Sequence, residues 1–127
     1  ERMMDSLVFR QTTSDDMGFR NQLEELRDQI DSIDHQLIEL LGARMKISGK
    51  MGEYKCRNNV TVFQLNRWLE ILQTRVQHGI SEGLDREFAE NLIKVIHEES
   101  IRCQDKAMDQ LRSTGGCPGP AEDGKEK

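Results

Sequence analysis

The chain has 127 residues, the size of one small domain. Its 18 Lys and Arg against 23 Asp and Glu leave a net charge of −5, which argues against a general nucleic-acid binder, since such proteins carry a basic excess. No run approaches the roughly 18 apolar residues that span a bilayer, and no basic start followed by an apolar run marks a signal peptide.

Residues 1–20 are mixed. Met3, Met4, Leu7, Val8 and Phe9 form an apolar cluster, followed by a polar, linker-like stretch from Gln11 to Gly18. The cluster has no obvious partner within the chain, and the chain begins at Glu1. Residues 1–20 are therefore expected to be the end of a preceding domain and its linker. From residue 21 the pattern sharpens. Positions 23, 26, 30, 33, 37, 40, 44, 47, 51 and 54 hold Leu, Leu, Ile, Ile, Leu, Leu, Arg, Ile, Met and Tyr. Steps alternating between three and four make a helical heptad seam, which predicts one helix from about 20 to 56. Gly42, Gly49 and Gly52 weaken it by up to about 1 kcal/mol each, and permit close approach of a backbone or a ligand.

Residues 57–63 break the period and read as a loop. A second helix follows from about 64 to 78, with Leu65, Trp68, Leu69, Leu72 and Val76 marking its buried face and Gly79 suited to its C-terminal cap. Asp85 can cap a third helix that extends to about 112. Its stripe runs through Phe88, Leu92, Val95 and Ile96 and reappears at Met108 and Leu111. Residues 113–127 cannot bury a core and read as a disordered tail. No strand pattern or internal repeat appears, so the fold class is all-α with three helices, and the domain proper is 21–112. About 37 residues make a first helix of roughly 55 Å. The remaining helical residues are too few to cover it, so its seam calls for a second copy in an intertwined homodimer.

Polar interruptions of these stripes are the candidate site. Arg44 holds a seam position, where an unpaired guanidinium is costly, so it needs an anionic partner: an internal carboxylate or a bound anion. Lys55, eleven residues on, shares its face roughly 16 Å along the axis, so a small dianion between them would meet a cation at each end. Taken alone, Lys55 also fits a solvated lysine at a helix C-terminus. Arg27 lies about 25 Å before Arg44 and roughly 100° around the axis. It reads either as a surface ion-pair residue or as a group reaching a partner chain's pocket. On the third helix the stripe turns polar at Ser100 and Gln104, which either satisfy each other and the backbone or line a polar cavity. His35, His78 and His97 lack metal-site spacing, and no phosphate loop, dinucleotide fingerprint or nucleophile elbow is present. No metal and no cofactor are expected. The three cysteines, Cys56, Cys103 and Cys117, are odd in number and widely spaced, which suggests neither a disulfide framework nor a Cys-x-x-Cys site. Free thiols fit a reducing cytoplasm, the expected location.

These residues resemble a known family. Leu26-Arg27-Asp28-Gln29-Ile30-Asp31-x-Ile33-Asp34, Leu40-Leu41-x-x-Arg44 and Gly52-x-x-Lys55 look like the first helix of the all-helical chorismate mutases, and Ser100-x-x-x-Gln104 looks like the active-site end of their third helix. The spacings agree from about 21 to 105 without an insertion. The resemblance implies an all-helical homodimer with two active sites that rearranges chorismate to prephenate on the route to Phe and Tyr. It implies that Arg44 and the partner chain's Arg27 bind the two substrate carboxylates. It gives Lys55 and Gln104 the ether oxygen, and puts Ser100 and Arg67 at the pocket with Gln64 near the substrate hydroxyl. Trp68 departs from the pattern, standing where many members carry a glutamate for that hydroxyl, and Gln64 replaces a common aspartate. Residues 1–10 resemble the last segment of a 3-deoxy-heptulosonate 7-phosphate synthase, which some bacteria fuse to such a mutase. The rearrangement is concerted and needs no nucleophile or metal. Rival readings are an isochorismate-pyruvate lyase on the same fold and a non-catalytic helical dimerisation or regulatory module that senses prephenate.

Overall fold

The computed structural model describes residues 14–117; the apolar cluster at 3–9 and the last ten residues lie outside them. Three helices follow in order: α1 (Ser14–Arg57), α2 (Leu65–Ser81) and α3 (Arg86–Ser113). No strand occurs among the described residues. The chain divides into two compact units, Glu1–Leu40 and Leu41–Lys127.

The first unit is helical from Ser14 onward, so the stretch that reads as a linker up to Gly18 is in part helix. The seam residues Leu26, Ile30, Ile33, Leu37 and Leu40 are each more than half exposed.

In the second unit the last part of α1 meets α3 in a fixed register. Ser48 Oγ lies 2.5 Å from Ser100 Oγ, Gly52 faces Gln104, and Cys56 Sγ lies 3.9 Å from the Met108 carbonyl oxygen. Each pair is 52 residues apart. A constant difference, rather than a constant sum, means that the two helices run parallel. Gly52 permits the approach: a Cβ there would sit 2.7 Å from Gln104 Cα, closer than real side chains come. Gly42 and Gly49 face open space.

All three helices end in the same way, with a residue at positive φ and the paired backbone bonds of a Schellman turn. Asn59 (φ 56°) closes α1: its N–H donates to the Cys56 carbonyl at 3.2 Å, and Val60 N–H to that of Lys55 at 2.8 Å. Gly83 (φ 96°) closes α2, with Leu84 N–H donating to the Gly79 carbonyl at 2.9 Å. The expected cap, Gly79, lies inside the helix instead, where a Cβ would come 3.2 Å from that of Ala89. Its role is the close approach of α2 to α3. Asp85 caps α3 as expected, its Oδ2 accepting from Phe88 N–H at 3.1 Å. Gly115 (φ 78°) ends α3 and returns the chain so that Cys117 is joined to Cys56, with Cα atoms 5.7 Å apart. Free thiols at these two positions are thus corrected; only Cys103 is free among the described residues. Spacing in sequence did not show the pair because the turn after α3 brings it together.

The apolar core of this unit is Cys56, Ile71, Val76, Ala89 and Met108. Leu65 and Leu69 of α2, and Phe88, Leu92 and Val95 of α3, are exposed despite their place in the apolar stripes. Periodicity marks a face that is apolar; it does not say whether the same chain covers it. Replacing Gly52 with alanine must push α1 from α3 or bend one of them. We expect a loss of about 1–3 kcal/mol in urea unfolding, typical of overpacking, and an unchanged midpoint would contradict the close approach.

Candidate active site

A cavity of about 240 Å³ opens between α1, α2 and α3 within the second unit. Arg44, Lys55, Gln64, Arg67, Ser100 and Gln104 all line it. Six of the seven residues singled out from the sequence are therefore brought together. The seventh, Arg27, is exposed and belongs to the first unit.

Lys55 reaches the cavity from the last turn of α1, where the Schellman turn uses its carbonyl and fixes its backbone. Its Nζ donates to the Val62 carbonyl and to Gln104 Oε1, each at 3.0 Å. The reading of Lys55 as a solvated terminal lysine is thereby set aside. An ammonium has three protons, so one remains for a ligand. Because Gln104 spends its oxygen on Lys55, its amide N–H groups face the other way, and Nε2 lies 3.5 Å from Ser100 Oγ. Both alternatives for Ser100 and Gln104 hold at once. They are buried, they partner each other and α1, and they form a cavity wall.

Gln64 precedes α2 and its backbone carbonyl accepts from Trp68 N–H at 3.0 Å, while its side chain makes no capping bond. Arg67 pairs at the rim with exposed Glu70 at 3.3 Å. Trp68 does not line the cavity; its indole turns to His97, with ring centroids 4.2 Å apart.

Three polar lining residues escaped the sequence argument: Ser48, Arg75 and His97. Helical spacing carried the signal. Ser48 is four residues after Arg44, Arg75 is eight after Arg67, and His97 is three before Ser100, so each shares a face with a residue already chosen. Ile47, Met51 and Ile71 give the cavity apolar walls.

Four cations line this space, and among the described residues no Asp or Glu does. Burial, then Arg75, then Arg67 hold the Arg44 guanidinium below its usual pKa. Burial, then Arg67, lower that of Lys55. Arg44 Nη1 is buried with no hydrogen-bond partner. Among the described residues no internal carboxylate lines the cavity beside Arg44, so the arrangement has room for an anion supplied from outside. Among the described residues no group of three His, Cys, Asp or Glu could hold a metal ion. No helix there is long and apolar enough to cross a membrane.

Residues 26–105 match the family described as chorismate mutase type II. The chain is 29% identical over 92 residues to a 4-amino-4-deoxychorismate mutase of Streptomyces venezuelae, covering 72% of this chain and 89% of that protein. It is 30% identical over 92 residues to a bifunctional chorismate mutase/prephenate dehydratase of Buchnera aphidicola, covering 72% of this chain and 24% of that protein. It is 27% identical over 84 residues to a T-protein of Haemophilus influenzae, covering 66% of this chain and 22% of that protein. The chain thus spans about a quarter of the length of these last two relatives. The chain belongs to the type II chorismate mutase family, an all-α family of isomerases. Chorismate mutase activity is the activity this membership supports.

If Lys55 must be protonated to act, kcat/KM should fall as pH rises through its pKa in the free protein. That fall is expected below the ordinary lysine value of 10.5, because burial and Arg67 both favour the neutral amine. Arg67→Gln should move the alkaline limb upward while lowering the rate. A limb that stays in place would remove Lys55 as the titrating group.

Proposed function

We propose that this domain rearranges chorismate to prephenate by clamping the substrate's two carboxylates and offsetting the charge that builds on its ether oxygen. The observation that carries the proposal is the Lys55–Gln104 pair, bonded at 3.0 Å, in a cavity lined by four cations and by no Asp or Glu among the described residues. The step is unimolecular: the C–O bond of the ether breaks as a C–C bond forms, with no proton gained or lost. What a protein can contribute is conformation and electrostatics. Arg44, with its unpaired Nη1, takes one carboxylate, and Arg67 lies at the pocket beside it. Holding both carboxylates selects the compact conformer in which the reacting carbons are close. The third proton of Lys55 and an amide proton of Gln104 then meet the ether oxygen. Preorganised donors of this kind can contribute about 3–4 kcal/mol each. Gln64, whose side chain is not spent on capping, takes the substrate hydroxyl in place of the glutamate that Trp68 replaces.

The same electrostatics favour the hydroxylated substrate over 4-amino-4-deoxychorismate, the compound in the name of the Streptomyces relative. Its amine is a cation in water, and this cavity offers a cation no carboxylate. The second carboxylate falls to Arg27 of a second copy. The exposed seam of the first unit supports an intertwined homodimer, since so much apolar surface on one helix calls for a covering chain. Bifunctional relatives support the coarser reading that such mutases occur in fused proteins. Fusion to a 3-deoxy-heptulosonate 7-phosphate synthase is our reading of residues 1–10 alone.

Incubation with chorismate should show loss of its ultraviolet absorbance and appearance of prephenate on chromatography. Release of pyruvate instead would identify a lyase, and no turnover by a folded protein would leave a binding module. Lys55→Ala should lower kcat by orders of magnitude without unfolding the chain. Gln104→Glu should shift the optimum toward acid, because only the protonated carboxyl can donate. Arg27→Ala and Lys55→Ala should each be nearly inactive alone. Mixed and refolded together they should recover up to about a quarter of wild-type activity, since half of a random mixture is heterodimer with one intact site in two. No recovery would sink the shared site.

A further inference from the structure

His97 lies on α3 three residues before Ser100 and seven before Gln104, so all three share one face, and it lines the cavity with them. The offset of 52 that relates α1 to α3 puts His97 level with Met45, beside Arg44. Its ring is held from two sides. Trp68 stacks on it at 4.2 Å and 23°, and Phe63 meets it edge-on at 6.0 Å and 66°. Its Nε2 is buried without a hydrogen-bond partner, as is Arg44 Nη1. These are the two unpaired buried nitrogens among the residues that line the cavity.

Two orphaned nitrogens, on residues that line one acid-free cavity and that the helix register sets side by side, call for a single ligand group with two acceptors. A carboxylate has that form, with one oxygen for each. We propose that His97 is a further substrate-binding residue, donating from Nε2 to the carboxylate that Arg44 holds, with Trp68 as the positioning residue that fixes the plane of its ring. The identity of that carboxylate rests on the mutase reading above; the two-nitrogen anion site does not.

The charge balance is consistent. Facing the imidazole are Arg44 and Lys55 from α1 and Glu98 from α3, while α2 presents Trp68. Burial, then Arg44, lower its pKa from 6.5; Glu98 opposes them and Lys55 adds to them, so the free protein favours the neutral ring. A neutral ring with its proton on Nε2 is a donor that adds no fifth cation to an empty cavity. A bound carboxylate reverses the balance and raises the pKa. Binding then takes up a proton, so affinity improves as pH falls from the bound-state value toward the free-state value, and levels off below it.

The test is KM and kcat for chorismate against pH in wild type, His97→Leu and His97→Gln. The leucine variant should raise KM about tenfold with kcat little changed, the signature of lost uniform binding. The glutamine variant, which keeps a donor at similar reach, should recover most of that loss. Both should lose the improvement of KM on the acid side. A His97→Leu enzyme with normal KM, or a glutamine variant worse than leucine, would reduce His97 to a packing partner of Trp68. Should the wild type not turn over chorismate, the mutase reading fails by itself. The same variants are then compared by thermal shift with malonate as the dianion. Stabilisation that grows toward acid pH and is lost in His97→Leu supports the site, and equal stabilisation in both overturns it.

Discussion

The parallel contact of α1 with α3 at Gly52 is the constraint from which the site follows. Without a side chain at 52, the Gln104 backbone closes on α1. That approach sets the register of 52, and the register puts Ser48 against Ser100 and Lys55 within bonding reach of Gln104. Each of these polar groups sits where a helix pair would ordinarily place leucine. Each is tolerated because the facing helix supplies its partner. A shift of one residue between the helices would turn the pairs away from one another and leave buried hydroxyls and an amide unsatisfied, so the polar ladder and the close packing specify the same arrangement.

Against this ordered wall, the cationic lining is left incomplete. Arg44, Lys55, Arg67 and Arg75 surround one space; Arg44 and Lys55 are partly buried in it, and that burial, helped by the charges of the exposed Arg67 and Arg75, pushes their pKa values down. A protein selected for stability alone would place a carboxylate among them. Leaving Arg44 and Lys55 without a carboxylate costs folding free energy, and the anionic ligand we propose would offset that cost on binding. The same feature links the proposed clamp to the proposed role of His97, since both rest on buried nitrogens left without a partner.

The departure at Trp68 also becomes intelligible. The indole is not a substitute ligand facing the cavity but a support beneath His97, so the change from an acidic to an aromatic residue alters the site through its neighbour. The wall there carries the imidazole of His97 and, among the described residues, no carboxylate, which is the property the proposed function uses.

The sequence by itself determined the three helices, the Asp85 cap and four of the cavity residues, Arg44, Lys55, Ser100 and Gln104, because heptad spacing and its polar interruptions are local, one-dimensional signals; Gln64 and Arg67 came from the family resemblance alone. Local signals also misled at definite points. Gly79 read as a cap but makes a helix crossing, the stretch up to Gly18 read as linker but is helical from Ser14, and Leu65 and Leu69 read as core but are exposed. Only the tertiary structure decided which cavity residue bonds which, that Cys117 returns to Cys56, and that His97 stacks on Trp68. Those facts depend on the register and direction of one helix against another. A periodic pattern says which face of a helix must be covered, but the covering partner is chosen by shape, and shape exists only once the helices have packed.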